Sequence, residues 1–239
     1  MRLPILMYHK VSEHEAPGEL NVSPKQLETQ FRYLSENGFT AISVHELMEY
    51  FSTGKRLPTK PILITFDDGY KSHFTNVYPL LLRYNMKALI FLTAGFIQTG
   101  NSVSQAEYLH SNEILAMKPE TVEYGLHTME HKSYDELSLS EIEEDIENIK
   151  SYFFRYRIPF VPCLAYTYGA FPRKDKEKRT SLFKVFEKEG IQMAFRIGNR
   201  INKIPLKNKF LIQRIDVRGD DLPWKFKWMV RYGRKWMPF

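Results

Sequence analysis

Three short stretches carry the residues that can do chemistry. The first is Pro61-Ile62-Leu63-Ile64-Thr65-Phe66-Asp67-Asp68-Gly69-Tyr70, an apolar run ending in two adjacent carboxylates and a glycine. A buried carboxylate is costly unless paired or bound to a cation. Two side by side therefore point to a cation, a proton or a catalytic task, and Gly69 permits a tight turn there. The second stretch is His127-Thr128-Met129-Glu130-His131. Its two imidazoles, four residues apart, would share one side of a helical turn and reach one ion. Two histidines and one carboxylate make a three-ligand set that leaves a position for water, the pattern of catalytic zinc. The same donors suit other divalent transition ions, cobalt and nickel among them. The adjacent aspartates can then divide the work, one holding the ion and the other acting as general base. The third stretch is Tyr166-Thr167-Tyr168-Gly169, and His9 stands alone after the opening apolar residues.

These groups need elements to position them. Candidate strands lie at 3–8, 39–42, 61–66, 88–92, 121–126, 161–167, 192–196 and 210–215. Helix starts are marked by capping boxes, in which a hydroxyl and a carboxylate or amide satisfy free N–H groups. Ser23 with Gln26 opens 24–37, and Ser43 with Glu46 opens 44–53. Ser138 with Glu141, or Ser140 with Glu143, opens a helix ending near Phe154. Further helices are expected at 74–84, 112–117 and 175–189. Gly38 and Gly190 fall where helices should stop. Strands alternating with helices predict βα units around a parallel sheet, an α/β fold with seven or eight units that closes into a single distorted barrel. Chemistry in such a barrel sits at the C-terminal strand ends. His9, Asp67, Asp68, His127 and Tyr168 all follow predicted strands, so four strand ends deliver polar groups to one face. The stretch 94–111 reads as a long loop beside that face.

The quoted residues resemble three motifs of the polysaccharide deacetylases, carbohydrate esterase family four: Thr65-Phe66-Asp67-Asp68-Gly69-Tyr70, His127-x-x-x-His131 and Tyr166-Thr167-Tyr168-Gly169. The opening Met7-Tyr8-His9-Lys10-Val11 is similar to the circularly permuted branch that deacetylates poly-N-acetylglucosamine. The resemblance spans most of residues 3–217 and implies a metal-dependent hydrolase that removes N-acetyl groups from amino sugars in a polysaccharide, an oligosaccharide or a lipid-linked glycan. Carried over by position, Asp67 resembles the general base, and Asp68, His127 and His131 the metal ligands. His9 resembles the general acid, and the backbone N–H of Tyr168 an oxyanion donor. Zinc is the expected ion. One departure matters: the third motif lacks the family arginine near Leu164 and Ala165, and Thr167 replaces a proline. Arg214 and Asp216, after a late strand, are candidates to orient the base instead. Other readings are a deacylase of another amide or of an O-acetyl ester, or a carbohydrate-binding protein with a decayed site.

Composition bounds the remainder. The chain has 239 residues, 43% hydrophobic and 26% charged, enough for one domain with a sizeable core. The single cysteine, Cys163, sits in an apolar run and is expected in the core. Residues 201–239 hold ten Lys/Arg against three Asp. Within them, 222–239 mixes aromatic with basic residues, which suits either a helix packed on the barrel or contact with an anionic membrane surface. That segment carries no nucleic-acid recognition motif. The N-terminal apolar stretch is too short for a signal peptide, so a cytoplasmic location is expected, with membrane association through the tail as the variant.

Overall fold

The computed structural model describes residues 1–99 and 107–236. Seven parallel strands close a barrel: β1 (Ile5–Tyr8), β2 (Pro61–Phe66), β3 (Ala88–Leu92), β4 (Val122–Leu126), β5 (Cys163–Ala165), β6 (Met193–Ile197) and β7 (Ile212–Asp216). Pairing runs in chain order from β1 to β7, and β7 returns to β1 through Ile215↔Leu6 and Asp216↔Met7. Residues of β1 and β2 are buried throughout, as expected when helices cover one side and a filled barrel lies on the other.

Side chains alternate between the two sides. Ile5, Leu63, Leu89, Phe91, Cys163, Ala165, Phe195 and Ile212 form an interior cluster. Leu6, Ile64, Ile90, Leu164 and Ile215 face outward, onto Phe31 of α1 (Pro24–Glu36), Ile146 of α5 (Leu139–Arg155) and Phe186 of α6 (Lys176–Lys188). The helix α2 (Val44–Thr53) closes the N-terminal mouth: Val44 and Leu47 join the interior cluster. Its N-terminus is held twice, by the predicted Ser43–Glu46 capping box and by Glu123 of β4, whose carboxylate accepts from Val44 N at 2.6 Å and His45 N at 3.2 Å. The remaining helices are α3 (Tyr78–Arg83), α4 (Ser111–Ala116) and α7 (Pro223–Tyr232). α7 buries Phe226, Met229 and Val230 and leaves Trp224 and Tyr232 outward, with Leu222 exposed at its N-cap. No helix among the described residues is long and apolar enough to cross a membrane.

Several expected boundaries shift. The strand expected at 3–8 breaks at Pro4, and Arg2–Leu3 pairs antiparallel with Asn202–Lys203. The strand expected at 39–42 shrinks to Thr40–Ala41, an appendage on β2 outside the closed ring. Within the loop expected at 94–111, Ala94–Phe96 forms a 3-10 turn, and residues 100–106 lie outside the described residues. Cys163 is in the core as expected, packed inside the barrel. Gly125 of β4 has no room for a side chain in that interior: a Cβ there would meet the Phe91 ring at 2.7 Å and Cys163 Sγ at 3.1 Å. Gly125→Ala is expected to cost about 1–3 kcal/mol by overpacking, read as a shifted urea midpoint.

Candidate active site and metal centre

The inward alternation of β2 runs through Thr65 to Asp67. The Asp67 N–H bonds to the Tyr8 carbonyl at 2.9 Å, so the residue continues the ladder and points into the barrel mouth. Asp68 then turns into the left-handed region (φ 72°), followed by Gly69 (φ 80°). This reversal brings two adjacent carboxylates to one pocket. Non-glycine residues rarely adopt such φ values, and of the seven that do among the described residues, four are Asp68, Thr128, His131 and Tyr168. Strain of this kind persists where surrounding structure enforces it, and functional sites are where it gathers.

Asp67 is buried against Arg214, which lies inside the barrel and is 0% exposed. Arg214 Nη1 and Nη2 donate to the two Asp67 oxygens at 2.5 and 2.8 Å, a two-pronged pairing. The guanidinium also lies over the Phe91 ring at 5.2 Å. Burial, the largest single effect, would raise the Asp67 carboxyl; Arg214 foremost, with His127 and His9, together outweighs it and holds the group below the usual range. Asp216 does not share this pairing. Its Oδ2 accepts from Arg218 Nε at 2.7 Å, so of the two residues considered for orienting the base, Arg214 is the one in contact.

Asp68 faces both histidines. Its Oδ1 lies 3.3 Å from His127 Nε2 and 3.2 Å from His131 Nε2. The three ligand atoms fall within 4.8 Å of one another. Burial would raise the Asp68 carboxyl, but its contacts with His127 and His131 hold it well below the ordinary range. His127 prolongs β4 through a bond from its N–H to the Leu92 carbonyl. Its Nδ1 is 2.9 Å from the Ala165 carbonyl, which can only accept, so Nδ1 carries the proton and Nε2 is left for an ion. His131 Nδ1 lies 3.1 Å from the Tyr168 hydroxyl, a group that can donate or accept, and this contact orients the ring with Nε2 toward Asp68. Asp68 Oδ1 is buried without a hydrogen-bond partner. An orphaned carboxylate oxygen facing two oriented imidazole nitrogens is the donor set a divalent ion requires, and these residues fit one.

The turn joining the two histidines differs from the helical turn expected. Residues 127–131 form a loop with left-handed Thr128 and His131. Tertiary contacts enforce it. Gly95 N donates to the Met129 carbonyl at 2.8 Å, Asp145 of α5 accepts from Met129 N at 2.9 Å, and the Phe96 ring stacks on His131. Thr167, which departs from the family motif, donates its hydroxyl to the Lys132 carbonyl at 2.7 Å and so ties the Tyr168 loop to the His131 loop. Tyr168 itself is 71% exposed at the rim. His9 follows β1 with Nε2 3.8 Å from Asp67 Oδ2. Asp145 has no signal in the sequence, because a helix-face carboxylate carries no spacing rule, whereas His73 follows the carboxylate turn and its place near the pocket mouth is legible from that alone.

The polysaccharide deacetylase family profile matches residues 54–184, more than half the chain. The chain belongs to the polysaccharide deacetylase family. YxkH of Bacillus subtilis, which carries a provisional polysaccharide deacetylase name, is 28% identical over 193 residues, covering 81% of this chain. This chain spans 63% of that relative's length. The poly-beta-1,6-N-acetyl-D-glucosamine N-deacetylase of Staphylococcus aureus is 24% identical over 208 residues, or 84% of this chain and 69% of the relative. Among solved structures, the Streptococcus pyogenes deacetylase PplD in complex with acetate superposes with a TM-score of 0.79 at 19% identity, covering 95% of this chain and 97% of that one. IcaB from Ammonifex degensii gives 0.77 at 20% identity, over 98% and 97%. These two likenesses show the fold that the chain shares with both proteins.

Proposed function

We propose that the chain is a metal-dependent N-deacetylase of glycans built from N-acetylated amino sugars. The observation that carries this reading is one pocket holding a cation-paired carboxylate, Asp67, beside the three ligand atoms of Asp68, His127 and His131. A divalent ion there, zinc first, with cobalt or nickel as alternatives, supplies Lewis acidity toward water and the acetamide carbonyl. Asp67 takes the proton of the attacking water, and Arg214 keeps it ionised and oriented to do so. The Tyr168 N–H serves the developing oxyanion. As the carbonyl C–O bond forms and the C–N bond breaks, His9 gives a proton to the departing amine, releasing acetate and a free amino sugar. The name of the Staphylococcus aureus relative supports poly-β-1,6-N-acetylglucosamine as the first substrate to try.

Acetate release from N-acetylglucosamine oligomers, with zinc, cobalt or nickel added, tests the reading. Asp67→Asn is expected to lower turnover by about 10²–10⁴-fold, the range for a positioned general base. Near-UV circular dichroism checks that the variant is folded. Full activity in Asp67→Asn would remove it as the base, and turnover of O-acetyl esters alone would change the substrate class.

A further inference from the structure

His73 is a buried histidine that the proposed reaction does not use. It opens a π-helical turn, His73–Val77, which follows the Asp67-Asp68-Gly69 reversal after Tyr70, Lys71 and Ser72. Such turns often mark functional positions. The ring is 0% exposed and lies between Phe66, at a centroid distance of 5.2 Å, and Tyr70, at 6.0 Å. Its Nε2 is 2.8 Å from the His9 backbone carbonyl. A carbonyl only accepts, so Nε2 carries the proton. Burial lowers the His73 pKa to about 4, so the ring stays neutral and keeps that tautomer at neutral pH.

The same turn grips the next residues of the His9 segment. Ser72 Oγ accepts from Val11 N at 3.1 Å, and Asn76 Nδ2 donates to the Val11 carbonyl at 2.7 Å. Three contacts from one turn thus fix the backbone from His9 to Val11. The His9 imidazole has little of its own to hold it. Its Nδ1 is buried without a partner, and its Nε2 stands 3.8 Å from Asp67. With no hydrogen bond of its own among the described residues, that ring takes its place from its backbone and its packing, and His73 is the side chain bonded to the His9 carbonyl.

We infer that His73 is a positioning residue that aims the His9 imidazole through the His9 carbonyl, with Ser72 and Asn76 completing the clamp. The inference rests on the reading of His9 as the general acid. A misplacement of about 1 Å can cost about 100-fold in rate. An amine must be protonated to leave, whereas an aryl oxide leaves unaided, so acetamide and aryl acetate substrates separate the acid step from the rest.

The test compares His73→Phe, which keeps the ring packing without the donor, with His73→Gln, which restores a donor near the Nε2 position. His9→Ala serves as the reference. In His73→Phe, kcat on an N-acetylglucosamine oligomer is expected to fall about 10- to 100-fold with KM within about twofold, while aryl acetate turnover stays within about twofold. His73→Gln should recover most of the loss. In parallel, the His9 ring signals in ¹H–¹⁵N NMR should move in His73→Phe and return in His73→Gln. If His9→Ala is selective for the amide and His73→Phe is not, the inference falls and the acid assignment stands. If His9→Ala slows both substrates equally, the acid assignment falls, and unmoved His9 signals in His73→Phe would then dismiss the clamp on its own terms.

Discussion

Arg214→Met is expected to lower the unfolding free energy by about 3–5 kcal/mol, because it strands Asp67 as a buried charge without its cation. Both partners lie inside the barrel mouth, 0% and 2% exposed, so water cannot take the place of the guanidinium. Asp67 carries a pKa below its unfolded value because Arg214, the foremost of its partners, together with His127 and His9 offsets the opposing and largest effect, burial. Its contribution to stability is therefore complete above the ordinary carboxylate range, about pH 4, and is lost as pH falls through the lower folded value. In the variant, burial acts unopposed by that cation and pushes the carboxyl upward. The stability gap between native chain and variant should then be widest near neutrality and narrow in acid, read from urea midpoints at pH 7 and pH 4. The acid limb of kcat/KM should move to higher pH in the same variant. Arg214→Lys should recover charge but not the two-pronged geometry, and so restore stability better than turnover. Native-like midpoints and an unmoved acid limb in Arg214→Met would mean that the pair does not set the state of Asp67.

Much of this frame is legible from local chemistry. β2 and β3 occupy the expected 61–66 and 88–92, because each is a continuous apolar run bounded by a turn signal. α2 occupies 44–53, started by the Ser43–Glu46 box and stopped by left-handed Gly54. The stretch 161–167 shortens to Cys163–Ala165 because Thr167–Gly169 folds into the turn that presents Tyr168. The loop between His127 and His131 was not legible as a loop. Two left-handed residues are held there by Gly95 and Asp145, which are remote in sequence and have no bearing on local propensity.

The arginine shows the same division. Loss of the family arginine from the third motif is visible in the sequence, and Arg214 is visible as a residue near a strand end. That Arg214 meets Asp67, 147 residues away, depends on β7 returning to β1 and β1 pairing with β2. Barrel closure makes that contact, and no spacing rule contains it. Thr167 is comparable: read as a defect in a motif, it proves to tie two site loops together through the Lys132 carbonyl.

His127→Ala is expected to remove the metal, and with it several orders of magnitude of turnover. The three donors differ in how firmly they are held. His127 is 2% exposed, prolongs a barrel strand, and has its proton fixed on Nδ1 by the Ala165 carbonyl. His131 sits on a loop and is oriented by a rim tyrosine. Changing a group that merely orients a ligand costs about 10–100-fold in metal affinity, so deleting the best-oriented ligand should cost more. Metal content by elemental analysis should fall from about one ion per chain to a small fraction. His131→Ala should retain more metal than His127→Ala, and Tyr168→Phe more than either. Thermal unfolding supplies an independent readout. An ion that binds only the folded chain stabilises it by about 2.7 kcal/mol at 100 times its dissociation constant. A chelator should therefore lower the native Tm, and added zinc should restore it. In His127→Ala neither addition should matter, because the site they act on is gone. Equal metal content in native chain and variant, or a chelator response that survives the substitution, would place the ion elsewhere in the molecule.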